Sequence, residues 1–145
     1  MVSDVGIEKY ECTGEYMYSI PHNSDLLSSL KVAAERLGIG AGVFTVIGAL
    51  KKAVIHYYVQ EKKQYHKILL ETPLEIASGI GNIAIKEGET IVHCHVVLAD
   101  KEGRCFGGHL GEGSIVFAGE AYIRALDPKI IRKYDETTGL NLLSI

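Results

Sequence analysis

The sequence predicts an α/β (α+β) domain: a mainly antiparallel β-sheet with flanking helices packed on one face or at its ends. Two observations predict it. Runs with strand-like alternation outnumber runs with helical spacing, and the one long helical pattern comes early, before most of the strands.

Glu8 to Ile20 carries Tyr10, Cys12, Tyr16 and Tyr18 in partial alternation, which predicts a strand interrupted near Gly14 and stopped by Pro21. Asn23 or Ser24 can then cap a helix from Asp25 to Leu37. Its Leu26, Leu27, Leu30, Ala33, Ala34 and Leu37 recur at helical spacing, and Gly38 is its stop. Ala41 to Ile47 and Ala53 to Val59 are rich in β-formers and are separated by Gly48 and a lysine pair, so they read as neighbouring antiparallel strands. Gln64 to Glu71 is the next strand. Leu74 to Lys86 follows, interrupted by Gly79 and Gly81, and Glu87-Gly88-Glu89 is a turn. Thr90 to Ala99 is a β-branched run, Asp100 to Gly103 a hairpin turn, and Ser114 to Leu126 a strand ending at Asp127-Pro128. The tail from Lys129 reads as a short helical turn before Leu140 to Ile145.

At 145 residues, 47% of them hydrophobic, the chain reads as one domain with enough apolar mass for a core of its own. Three cysteines, Cys12, Cys94 and Cys105, cannot all pair, and the first residues do not resemble a signal peptide, so a cytoplasmic setting without disulfides is expected. The longest apolar stretches, such as Ile39 to Leu50, fall short of the about 20 residues a membrane-spanning helix needs, so no membrane partner is expected. A formal net charge of −3 gives no general attraction to phosphate backbones, which disfavours DNA as a partner. The small basic clusters at Lys51-Lys52, Lys62-Lys63 with Lys67, and Lys129 with Arg132-Lys133 read as solvated surface.

The chemistry concentrates at His93-Cys94-His95 and at His109 in Gly107-Gly108-His109-Leu110. Residues two apart on a strand project from one face, so His93 and His95 point the same way and Cys94 the other. If Gly103 takes the left-handed position that ends a three-residue loop with a bulge, Asp100 pairs with Arg104. Counting back sets His95 opposite His109, with Cβ atoms about 4.5–5.5 Å apart. A two-residue loop would instead turn His109 to the opposite face. Three neutral imidazoles suit zinc, or another divalent transition metal, and leave a fourth tetrahedral position for water or a small-molecule ligand. Cys105 shares the histidine face but lies two pairs from His109. Glu112 and Glu120 are candidates for orienting an imidazole or acting on a bound water. His22, His56 and His66 read as surface or packing residues. The sequence contains no nucleophile elbow, no G-x-x-x-x-G-K phosphate loop and no dinucleotide fingerprint.

These residues resemble a known family. The resemblance is carried by Arg36-Leu37-Gly38-Ile39, Gly42 to Leu50, Pro73-Leu74-Glu75-Ile76 and Ser78-Gly79-Ile80-Gly81. It is carried above all by His93-Cys94-His95 through Gly103, followed by Gly107-Gly108-His109-Leu110, Gly113 and Val116 to Glu120. Over nearly its whole length the chain is similar to the PPC (plants and prokaryotes conserved) domain in its standalone archaeal and bacterial form. The resemblance implies an antiparallel α/β domain assembled as a homotrimer, with the histidines forming a metal site. Plant members join the domain to AT-hook segments and act with transcription factors. This chain has no Arg-Gly-Arg-Pro hook, and Thr72-Pro73-Leu74-Glu75-Ile76-Ala77 lacks the arginine of the plant Gly-Arg-Phe-Glu-Ile-Leu segment. Prokaryotic members often carry a DNA-binding label by analogy, which fold alone does not support. Three functions are thus in view: a metal-binding homotrimer of undetermined activity, a DNA-binding or transcription-associated module, and a zinc-dependent enzyme acting on a small substrate.

Overall fold

The computed structural model describes residues 6–145. Strand β1 (Glu11–Ile20) leads to helix α1 (Leu26–Arg36), the one helix among the described residues, and β2 (Gly42–Val59), β3 (Gln64–Leu70), β4 (Leu74–Lys86), β5 (Glu89–Ala99), β6 (Cys105–Leu110) and β7 (Ile115–Asp127) complete a seven-stranded antiparallel sheet. A separate hairpin, β8 (Arg132–Asp135) and β9 (Leu140–Leu143), ends the chain.

Three local expectations are corrected. Residues 42–59 form one long strand, not two. At Gly48 the register against β4 shifts by a residue, and further shifts occur against β7 near Leu50, so the chain bends through bulges without turning back. The helix is capped by Asp25 instead of Asn23 or Ser24: its Oδ1 accepts from the Ser28 backbone N–H at 2.8 Å, and its Oδ2 accepts from Gly113 N–H at 2.6 Å. The tail is a β-hairpin and not a helical turn, because Asp135 ties its own turn, accepting from the backbone N–H and hydroxyl of Thr138 at 2.8 and 2.7 Å.

The length of β2 lets it serve four partners. Its first part pairs with β7 on one edge and β4 on the other, while its last part pairs with β3 and touches β6 at Ile55 and His56. Because β4 pairs with β5 and β5 with β6, the pairings β2–β4–β5–β6–β2 close a ring. Phe44, Val46, Leu50 and Ile55 from β2 pack inside with Ile83, Cys94, Val96, Leu98 and Leu110. Leu26, Leu30 and Ala34 of α1 bury the helix's apolar stripe in this core. Full burial of each leucine contributes about 1.5–3 kcal/mol. On the opposite sheet face the register lines up one row across six strands: Met17, Tyr122, Thr45, Ile80, His95 and His109.

Candidate metal centre

The β5–β6 hairpin sets the histidines. Gly103 has φ +77°, its N–H donates to Asp100 O at 2.9 Å, and Asp100 N–H donates to Arg104 O at 3.0 Å. The Asp100 carboxylate also accepts from the backbone N–H groups of Glu102 and Arg104, both at 3.0 Å, and from Arg104 Nε at 2.8 Å. This loop fixes the register in which His95 faces His109. His93 lies opposite Asn82, two residues along the same face.

The three rings converge. His93 Nε2 lies 3.1 Å from His109 Nδ1 and 3.1 Å from His95 Nε2, and one nitrogen from each ring falls within 4.8 Å of the others. Tetrahedral zinc with Zn–N distances of 2.0–2.1 Å separates its nitrogen ligands by about 3.3–3.4 Å, so the donor set fits that ion. His93 Nε2 has one proton or one lone pair with which to serve two neighbouring nitrogens. A cation accepts a lone pair from each ring and removes that conflict.

Local electrostatics keep His93 and His109 in the ligating form. Burial, followed by the Arg132 charge and the two neighbouring imidazoles, lowers His93 to about 4. Burial also lowers His109, with His95 and His56 adding to the effect. Cys94 points into the core, where burial pushes its thiol up to about 12, so it remains a protonated packing residue.

Several site neighbours escaped the sequence reading. Tyr65 of β3 packs edge-on against His109, with ring centroids 5.3 Å apart, and lies 6.0 Å from His56. These side chains meet only because β2 carries β3 and β6 on opposite edges, a nonlocal pairing without a local sequence signature. Arg132, expected on a solvated surface, is only 8% exposed: Nη2 donates to Asn82 Oδ1 at 2.7 Å and faces His93 Nδ1 at 3.4 Å. Its burial follows from the hairpin, which docks through the Ile85 N–H to Ile130 O bond and places β8 beside β4. Glu112 lines a cavity of about 540 Å3 with His109, His56, Tyr65 and Lys67. Glu120 instead sits on β7 between Ser19 and Ile47, and exposed Cys105 pairs with Ala99. Neither belongs to the imidazole cluster. His22 bonds Phe117 O through Nδ1 at 2.7 Å, and His66 is exposed on β3.

Fold and site together define a class: a β-sheet domain, with one helix, that presents three convergent imidazoles on the outer face of a hairpin. The chain belongs to the Plants and Prokaryotes Conserved (PCC, also written PPC) domain family, whose model matches residues 8–127. It is 36% identical to the metal-containing protein of Archaeoglobus fulgidus, with a TM-score of 0.92 and coverage of 97% of this chain and 100% of that one. It is also 36% identical to a plant- and prokaryote-conserved (PPC) protein of Pyrococcus horikoshii, with a TM-score of 0.90 and coverage of 99% and 98%. A Ralstonia eutropha JMP134 protein named as a candidate DNA-binding protein is 26% identical, with a TM-score of 0.79 and coverage of 90% of both chains. Among curated proteins, the bifunctional protein GlmU of Synechococcus sp. is 30% identical over 118 residues, which are 79% of this chain. The chain spans only 18% of that relative. Among the described residues, no helix is long and apolar enough to cross a membrane.

Proposed function

We propose that this chain is a cytoplasmic, homotrimeric metal-binding protein that holds zinc through His93, His95 and His109. The observation that carries the proposal is the 3.1 Å spacing of His93 Nε2 from one nitrogen on each of its two neighbours. The likeness to a metal-containing archaeal protein supports it. Three neutral nitrogen ligands leave one position open, and zinc so bound lowers the pKa of a coordinated water toward about 7. The chain's own part is to keep His93 and His109 unprotonated, to orient His93 through the Arg132–Asn82 pair, and to wall the position with Tyr65.

The test is elemental analysis of protein purified without an affinity tag, followed by thermal unfolding with and without zinc. Zinc at a hundredfold excess over its Kd should stabilise the folded state by about 2.7 kcal/mol. For a chain of this size that raises Tm by about 5–11 °C. His109→Ala should remove most of that shift. A wild-type protein that carries no metal and whose Tm ignores zinc refutes the site.

The trimer draws support from the exposed apolar residues of the outer sheet face, Met17 (77% exposed), Ile47 (57%) and Ile80 (60%), an area suited to a second copy. Light scattering should give three times the chain mass, and Ile47→Asp should lower it. A monomeric wild type refutes the assembly.

The enzymatic reading is favoured by the cavity that joins Glu112 to His109. It predicts turnover of a small substrate that disappears in His109→Ala and after chelation, and equal rates with and without metal reject it. The DNA-binding reading rests on the likeness to the Ralstonia protein and is opposed by the net charge of −3. Affinity for duplex DNA that does not fall steeply with salt removes phosphate contact as its basis.

A further inference from the structure

We propose that the crevice between the β8–β9 hairpin and the three imidazoles binds a small hydroxycarboxylate, with Arg132 as the partner of its carboxylate. This names a ligand class for the proposed metal site and rests on that reading only for the ligand's second contact.

Arg132 carries a charge that lacks a counter-charge among the described residues. Arg132 is 8% exposed, and every acceptor it meets is neutral: Asn141 O at 2.7 Å from Nη1, and Asn82 Oδ1 at 2.7 Å and His93 Nδ1 at 3.4 Å from Nη2. Among the described residues its Nε–H has no acceptor. The ion pairs among the described residues involve Lys9, Lys31, Lys101 and Arg104, and none includes Arg132. A guanidinium does not shed its proton to escape burial, so the uncompensated charge destabilises the fold unless an anion meets it. A divalent ion on three uncharged imidazoles adds positive charge beside it, and no carboxylate belongs to that cluster.

The second observation concerns shape and hydrogen bonding. Arg132 and Asn141 line a crevice of about 260 Å3 together with His93, His109, Tyr65 and Leu142. Asn141 Oδ1 is also buried without a donor. The crevice is therefore walled by two residues that each carry an unsatisfied polar atom lying just beneath its surface. A ligand carboxylate to which the Arg132 guanidinium turns balances its charge, and a ligand hydroxyl supplies the donor that the Asn141 side chain lacks. Ordered water supplies hydrogen bonds but leaves the charge unbalanced. The His93 ring lies between the two positive centres, its Nδ1 facing Arg132 and its Nε2 facing the other imidazoles. A ligand with two polar groups can serve both sides. Arg132 and Asn141 lie beyond residues 8–127, which match the family model.

The test is an NMR titration with glycolate and its neutral counterpart glycolamide, on zinc-loaded and on chelator-treated protein, following the Arg132 Nε–H and Asn141 side-chain signals. Glycolate should give saturable shifts that glycolamide does not, with tighter binding when zinc is present. Arg132→Gln should weaken glycolate binding about tenfold or more, and Arg132→Lys should restore part of it. Equal binding of the two probes, no response in zinc-loaded wild type, or unchanged affinity in Arg132→Gln overturns the proposal. If Arg132→Gln does not fold, the glycolate–glycolamide contrast on wild type decides alone. If the protein takes up no zinc yet glycolate saturates, the metal reading falls and this one stands.

Discussion

Gly81→Ala probes how closely β4 is pressed against the site strand. A methyl group at this position would lie 2.8 Å from Phe44 Cε1, and closer still to Phe44 Cζ and to the His93 carbonyl oxygen, against 3.4–4 Å for ordinary contact. Phe44 is a fully buried core ring and cannot swing away, and the His93 carbonyl belongs to the backbone of β5, which pairs with β4 throughout this stretch. Overpacking of this kind costs about 1–3 kcal/mol, and two rigid neighbours place Gly81→Ala near 3. At about 2–4 °C per kcal/mol, the Tm of chelator-treated protein should fall by about 6–12 °C. The same push displaces His93, so zinc should stabilise the variant less than wild type. Phe44→Leu removes part of the ring clash but leaves the carbonyl, so a double-mutant cycle should show partial compensation, with a coupling of about 0.5–3 kcal/mol. A Gly81→Ala protein with wild-type Tm and wild-type zinc response refutes the packing argument, and complete rescue by Phe44→Leu refutes the part assigned to the carbonyl.

Two further outcomes follow from polar groups. Ser114 is fully buried; its Oγ accepts from Val54 N–H at 3.0 Å and lies 2.9 Å from Gly111 O. Ser114→Ala leaves the Val54 N–H unpaired and should cost about 1–3 kcal/mol in urea unfolding, while a change below about 0.5 kcal/mol contradicts it. His93 is held at about 4, below its ordinary value of 6.5, so as pH falls through 6.5 the unfolded chain takes up a proton that the folded chain refuses until about pH 4. Metal-free protein should therefore lose stability from pH 6.5 down to 4. His93→Gln should flatten that slope, and identical pH profiles for the two proteins refute the assignment.

The part of the site that was legible in the sequence is the part governed by local rules. Strand alternation, a glycine suited to a left-handed position and a three-residue loop were enough to set His95 against His109, because every link lies within about twenty consecutive residues. The sheet class was legible for the same reason. The unity of β2 was not: Gly48 beside a lysine pair looks like a turn, and only partners drawn from β4 and β7 keep the chain extended there. Tyr65 and Arg132 reach the imidazoles through pairings and docking contacts far apart in the chain. A charged residue in a polar tail reads as solvated until the tail's docking site is known.

The strand that serves four partners also constrains how the molecule comes into being. Asp127, the end of β7, lies 68 residues after Val59, the end of β2. At a synthesis rate of about 5–20 residues per second, one flank of β2 must wait on the order of 3–14 s for its mate to be made. Throughout that interval a nascent chain leaves the β7-facing edge of β2, residues 42–52, with unfilled hydrogen-bonding groups. Completion of the sheet is therefore an event of the nearly finished polypeptide, and the interval before it is when chaperone shielding matters most.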